Sequence, residues 1–305
     1  MTIALVMCTY NGEKYILKQL ESIYSQARKP DAVYIKDDCS SDSTVDLVRD
    51  FIESHSGTEN WCVSVNEINL GWKRNFIEAL KTADADIIFL ADQDDIWKPE
   101  KIEKMARSCE ENDDIDLLVS GFDPIDVESG ERVKQFQPSL GTGVVSKVPL
   151  YGAFAETRRP GCTFAVSRRM KEYIDGIWQK DWAHDQFLWS VAIARGKLYS
   201  YNESLITFCR HEGTSTPAND KSREVRKKIV QTEADIADSL VANKERLEID
   251  NEAVCKLEKS GDVYRKRADA IGNRNLLKLL SLLGRLSYYP KPSSWLGDLA
   301  ALIRQ

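Results

Sequence analysis

The stretch ADIIFLADQDDIW, residues 85–97, passes from an apolar, β-branched run straight into Asp92, Asp94 and Asp95. Four consecutive apolar residues, Ile87 to Leu90, read as a strand buried on both faces. Three carboxylates at its tip repel one another and resist desolvation, so a cation is expected beside them. Two earlier runs have the same form, IALVMCT at 3–9 and DAVYIKDD at 31–38. Between the runs lie helical patterns: Tyr15, Leu20, Ile23 and Tyr24, then Val45, Leu47, Val48, Phe51 and Ile52, then Phe76, Ile77 and Leu80. SSDST before the second helix supplies N-cap residues, and Pro30 and Gly57 act as breakers. This alternation predicts an α/β fold with a doubly wound, mostly parallel, Rossmann-like sheet, whose ligands bind at the carboxyl ends of the strands. The polar clusters all fall at those ends. CVSVNE at 62–67 is a further strand, followed by NLGWKRN, a glycine-containing turn with two adjacent cations.

The chain has 305 residues, 42% of them hydrophobic, enough for about two domains or one large domain with an appendage. A net charge of -6 excludes a nucleic-acid binder that works through bulk basic charge. Seven scattered cysteines, odd in number and without a C-x-x-C pair, fit neither a disulfide framework nor a thiolate zinc site; they read as reduced, cytosolic thiols. The N-terminal MTIALVMCTYNG has no basic flank, and its apolar run is too short for a signal or transmembrane segment.

Residues 116–210 mix short strand-like pieces, DLLVSGF, CTFAVSR and LITFCR, with a helical piece holding Trp178, Trp182, Phe187 and Trp189. From residue 216 the chain becomes charged and nearly free of glycine and proline. Ile229, Ile236, Leu240, Leu247, Val254 and Leu257 there give a helical-hairpin or coiled-coil-like pattern. The last segment, GNRNLLKLLSLLGRLSYYPKPSSWLGDLAALIRQ, is leucine-rich and amphipathic, with Arg274, Lys278, Arg285 and Lys291. It reads either as a helix packed on the catalytic domain or as a membrane-surface anchor.

Asp92-Gln93-Asp94 is a D-x-D arrangement. A tight bend can turn its alternate carboxylates toward one hard cation, and Mg²⁺ or Mn²⁺ takes one or two carboxylates while leaving other positions to phosphate and water. Asp95 reads as an N-cap before KPEKIEKM. Haloacid-dehalogenase phosphatases use D-x-D-x-[Thr/Val], but the fifth position here is Ile96, and that motif ordinarily closes the first strand.

CTYNGEKYILKQLESI, KDDCSSDST, NLGWKRNFIEAL and FLADQDDIWKPEKI, in this order, resemble the inverting GT-A glycosyltransferases of family 2. PGCTFAVSRRM and WAHDQFLW narrow the likeness to rhamnosyltransferase-like members. The resemblance implies a GT-A domain over 1–215, with a nucleotide-binding half at about 1–115 and an acceptor half at about 116–215, and a helical extension over 216–305. It implies that Thr9, Tyr10 and Asp37 or Asp38 hold nucleobase and ribose, where a carboxylate accepts a charge-assisted hydrogen bond from a pyrimidine N–H. Asn11 and Gly12 shape the turn, and Lys73 and Arg74 fall where they reach donor phosphate or sugar. Asp92, with Gln93 beside it, faces ribose or metal, Asp94 is the principal metal ligand, and Asp185 is the general base. Arg210-His211 resembles the element near metal and diphosphate, with His211 as a ligand. On the acceptor side stand Gly161 and Cys162, a tight backbone segment, and His184, which orients the base or is structural. Trp97, Trp182 and Trp189 are read as sugar platforms or as core.

The function so implied is metal-dependent transfer of a sugar, L-rhamnose from dTDP-rhamnose or a hexose from a UDP-sugar, to a glycan or lipid-linked glycan in surface-polysaccharide synthesis. The expected location is cytoplasmic, with contact at the inner face of the plasma membrane through the C-terminal helices. A homodimer through the Ile236, Leu240, Leu247, Val254 stripe is a further expectation. Two rivals make different predictions: a metal-dependent phosphatase, and a sugar-nucleotide-binding assembly module without turnover.

Overall fold

The computed structural model describes residues 1–133, 141, 143–211 and 222–303. Two compact units are present, Met1–Val148, Arg159–Asp185 and Lys197–Gly213 forming the first, and Pro149–Arg158, Gln186–Gly196 and Thr214–Gln305 the second.

The first unit is built on β1 (Ile3–Thr9), α1 (Ile16–Tyr24), β2 (Ala32–Asp37), α2 (Thr44–Ser54), β3 (Trp61–Val65), α3 (Trp72–Thr82) and β4 (Ile87–Asp92). These are the strands and helices expected from the apolar runs. After them come β5 (Ile96–Trp97), α4 (Lys101–Glu111), β6 (Leu117–Asp126), β7 (Val145–Lys147), β8 (Phe164–Ser167), α5 (Arg168–Glu172), the first residues of α6 (His184–Ala194), which from Gln186 on belongs to the second unit, and β9 (Leu198–Arg210). The sheet order is β3-β2-β1-β4-β8-β6-β9-β5, with β7 paired to β9. β1 to β4 are mutually parallel, β8 runs antiparallel to both β4 and β6, and β6 and β9 are again parallel. Every residue of β1 is buried, as a central strand covered by helices on both faces requires. Because β4 ends beside β1, in register Cys8 to Asp92, the turns that follow these strands open at one edge of the sheet. One helical expectation is corrected: Trp178 and Trp182 precede α6, which begins only at His184.

In the second unit α7 (Arg223–Ala242) packs along α8 (Asn251–Gly272), and α9 (Leu276–Leu280) and α10 (Ser294–Ile303) follow. Ser222 and Asp250 cap the two long helices by accepting hydrogen bonds from the Val225 and Ala253 amides. Gly261 lets α8 approach α7, since a Cβ there would meet the Ala237 Cβ at 3.2 Å. The stripe read as a dimer seam is used up inside this unit: Ile236, Leu240, Leu247 and Val254 are all buried in the single chain. At the centre, Arg267 donates to Asp298 (2.9 Å) and Glu233 (3.3 Å), and Arg226 donates to Asp298 (2.8 Å). No helix among the described residues is long and apolar enough to cross a membrane.

Candidate active site

The turn after β1 is held in a left-handed bend at Asn11 (φ 47°) and locked from three sides. The Gln93 side chain accepts from the Tyr10 amide (2.9 Å) and donates to its carbonyl (3.0 Å), tying this turn to the one after β4. Asn11 pairs with Ser40 and Ser41, and the Gly12 amide donates to Thr44 Oγ1. Gly12 is required here because a Cβ would lie 2.2 Å from Gln93 Oε1. The Tyr10 side chain itself stands exposed.

Both acidic residues at the end of β2 are buried and amply hydrogen-bonded. Asp37 accepts from the Thr9 hydroxyl (2.8 Å) and from the Ser40 amide and hydroxyl. Asp38 accepts from Asn66 Nδ2 and from the Leu70 and Gly71 amides, so it shapes the turn into α3. Asn66, at the end of β3, has no precedent in the sequence reading; its only trace there is the polar close of CVSVNE. Lys73 donates to the Asp181 carbonyl (2.6 Å) and Arg74 pairs with Glu78, so both are engaged within the unit.

The acidic tip of β4 gathers carboxyls whose proton affinity is shifted. Burial first, then the charges of Asp94 and Asp185, push the Asp92 carboxyl up to about 7. Asp94 lies 2.8 Å from His211 Nε2, and the His211 ring stacks on Tyr15 at 4.2 Å. Asp95 is fully buried and pushed well up by burial and by its two neighbours, and it accepts the Cys209 amide from β9. It is therefore not the N-cap of α4, a position held by Glu100. Asp92, Asp95 and Cys162 each bring one ligand atom within 4.8 Å of the others. Burial holds the Cys162 thiol well above its ordinary pKa, so it is a neutral partner and not a thiolate.

Part of the expected cation belongs to the chain itself. Lys101, from α4, is fully buried with its ammonium 4.2 Å over the Trp97 ring and 5.1 Å from that of Phe89. Burial pushes it down to about 7, while Cys162 and Asp95 favour its charge. Among the described residues, Lys101 is one buried cation near the crowded carboxylates Asp92, Asp94 and Asp95, and His211 meets Asp94. The donor set that remains, hard carboxylates with one imidazole, fits Mn²⁺ or Mg²⁺ and does not fit a thiolate metal.

Asp185 sits on the first turn of α6, close enough to Asp92 to raise its proton affinity. His184 beside it is buried, stacked on Phe76 at 4.0 Å with Trp72 edge-on, and burial pushes it down to about 4. Among the described residues neither of its ring nitrogens has a hydrogen-bond partner. It is thus a neutral ring beside Asp185. Gly161 makes room for it, since a Cβ there would stand 2.6 Å from His184 Nε2. Trp97, Trp182 and Trp189 are all buried.

A sequence model described as Glycosyl transferase family 2 matches residues 4–169, more than half of the chain. The chain is 31% identical over 227 residues to dTDP-rhamnosyl transferase RfbG of Shigella flexneri, covering 70% of this chain and 74% of that one. Its fold resembles residues 1–349 of TarS from S. aureus in complex with UDP-GlcNAc (TM-score 0.61, 21% identity, 94% of this chain and 88% of that one). It also resembles the mannosyltransferase PcManGT of Pyrobaculum calidifontis in complex with GDP-Man and Mn²⁺ (TM-score 0.53, 19% identity, 99% and 84%). The D-x-D closes the fourth strand of such a sheet and not the first, which removes the phosphatase reading. The chain belongs to glycosyl transferase family 2 and is a glycosyltransferase of GT-A fold.

Proposed function

We propose that the protein transfers a sugar from a nucleoside diphosphate donor to an acceptor hydroxyl with inversion, the residues of 1–215 carrying the reaction. The observation that carries this reading is the acidic cluster at the end of β4, where burial first and then the charges of Asp94 and Asp185 push the Asp92 carboxyl up to about 7. Asp94 and Asp92, with His211 at the edge, would hold Mg²⁺ or Mn²⁺, which supplies neutralisation of charge on the departing diphosphate. Thr9, Tyr10, Asp37 and Asp38, with Asn11 and Gln93 shaping the loops, would hold nucleobase and ribose. Lys73 and Arg74 reach donor phosphate or sugar only by exchanging their present contacts. Asp185 takes the proton from the acceptor hydroxyl as that oxygen attacks the anomeric carbon. His184, being neutral, packs against Phe76 and fixes the turn that presents Asp185. Gly161 and Cys162 would line the acceptor side, with the buried Trp97 and Trp182 as packing, while Trp189, equally buried, belongs to the second unit.

The RfbG likeness supports dTDP-L-rhamnose as donor, and the UDP-GlcNAc complex of TarS keeps a UDP-hexose as the second choice. The acceptor so implied is a glycan, free or lipid-linked, of a surface polysaccharide, met at the cytoplasmic face of the membrane. The test is nucleoside diphosphate release from each donor with a lipid-linked acceptor extract, using wild type and Asp185→Asn. The variant should bind donor normally and lose turnover by at least about 100-fold. Retained turnover contradicts the base assignment, and donor binding without turnover in wild type favours an assembly module.

A further inference from the structure

The segment after α8 is amphipathic in an unusual sense: leucine occupies both of its faces. Leu279 and Leu282 point inward and are buried, and Trp295 Nε1 donates to the Leu279 carbonyl (3.1 Å). On the opposite face Leu276, Leu277, Leu280 and Leu283 are exposed by 47, 80, 40 and 47%. The spacing i, i+4, i+7 of 276, 280 and 283, with 277 beside them, puts the four on one stripe of α9 and the 3₁₀ turn Leu283–Tyr288 that continues it. Single exposed leucines need no explanation, but four together do.

The charge around this stripe differs from that of the whole chain. The protein is net -6, yet residues 270–297 contain Arg274, Lys278, Arg285 and Lys291 and no carboxylate. Lys278 and Arg285 rest on Asp269 and Asp262 of α8, and Asp262 also meets Lys266, so these two carboxylates offset only part of the positive charge of the segment. A second copy of the chain is a poor occupant, because a two-fold contact would set these cations against themselves. An anionic lipid surface matches both halves of the patch: acyl chains receive the leucines, and phosphate groups receive Lys and Arg.

We propose that Leu276, Leu277, Leu280 and Leu283, ringed by Arg274, Lys278, Arg285 and Lys291, form a shallow wedge that docks the protein on an anionic bilayer. The wedge is short, so docking is reversible and depends on both signals. It does not depend on which donor the active site uses.

The experiment is co-flotation of the full chain with vesicles of phosphatidylcholine alone or mixed equally with phosphatidylglycerol, at low and raised salt. Wild type should bind the anionic vesicles, bind phosphatidylcholine at least about tenfold less, and come off with salt. Leu277→Ser combined with Leu283→Ser, both at exposed positions, should weaken binding about tenfold or more, and Lys291→Glu should weaken it severalfold. Circular dichroism and nucleotide binding of the variants check that the fold is kept. No binding to anionic vesicles, or binding unchanged in the leucine double variant, overturns the proposal. So does wild-type self-association in sedimentation that the double variant abolishes, which would make the stripe a contact between copies.

Discussion

The two units each bury a cluster of charge, and the clusters are solved in opposite ways. In the second, Arg226 and Arg267 face Asp298 and Glu233, so two cations meet two carboxylates through direct bonds. In the first, among the described residues, Asp92, Asp94 and Asp95 crowd one strand end, with Lys101 buried near Asp95 and His211 on Asp94, and the charge of Asp185 reaches Asp92. The balanced cluster is joined by direct bonds that hold α7, α8 and α10 together, although burial still lifts Glu233 to about 7. The crowded one leaves Asp92 and Asp95 pushed toward their protonated forms, and a ligand that brings positive charge would relieve it. Crowding of like charge, and not burial alone, separates the site from the scaffold.

Breaking the balanced cluster should have the largest effect on stability. Arg267→Met leaves Asp298 and Glu233 buried without their shared partner, and denaturant unfolding should show a loss of about 3–5 kcal/mol. The same kind of change in the crowded cluster should act in the reverse direction. Asp92 has a folded pKa of about 7 against an ordinary 3.8, so its contribution is lost as pH rises through that interval. Asp92→Asn should therefore stabilise the metal-free protein at pH 8 by about 1–3 kcal/mol. A destabilised variant would mean that the carboxylate is satisfied by the chain and that the contrast is false.

Much of this contrast was legible before the structure. The runs at 3–9 and 87–91 are almost wholly apolar, as a strand covered on both sides requires, while that at 32–37 alternates buried and half-buried residues, and each ends in residues of the candidate site. What escaped were contacts made across long separations by residues with ordinary local roles. Lys101 reads as the polar side of an amphipathic helix, yet it is buried against Trp97 and Phe89. Asp95 sits where an N-cap is expected but spends its oxygen on Cys209, far along the chain. Tyr15 looks like one more apolar position of α1, though its ring carries His211. In the tail, periodicity located the helices but could not tell an inward leucine from an outward one, since Leu279 and Leu280 are the same letter on opposite faces.

A smaller test sharpens the comparison through pH. Burial lifts Glu233 from 4.5 to about 7 despite Arg267, so its own contribution to stability should be full below pH 4.5, fall as pH rises to 7, and level off above. Glu233→Gln should flatten that slope, which amounts to about 1–3 kcal/mol, as read by thermal unfolding across pH 4.5–8. An unchanged slope would assign the pH dependence to another group.

The central claim, that the carboxylates at the end of β4 await a cation carrying a nucleoside diphosphate, is tested most directly by calorimetry. dTDP and UDP are titrated, each with and without Mn²⁺, into wild type and Asp94→Ala. The account predicts metal-dependent binding of one nucleotide in wild type and its loss in the variant. Binding of equal strength without metal, or undiminished in Asp94→Ala, would contradict it.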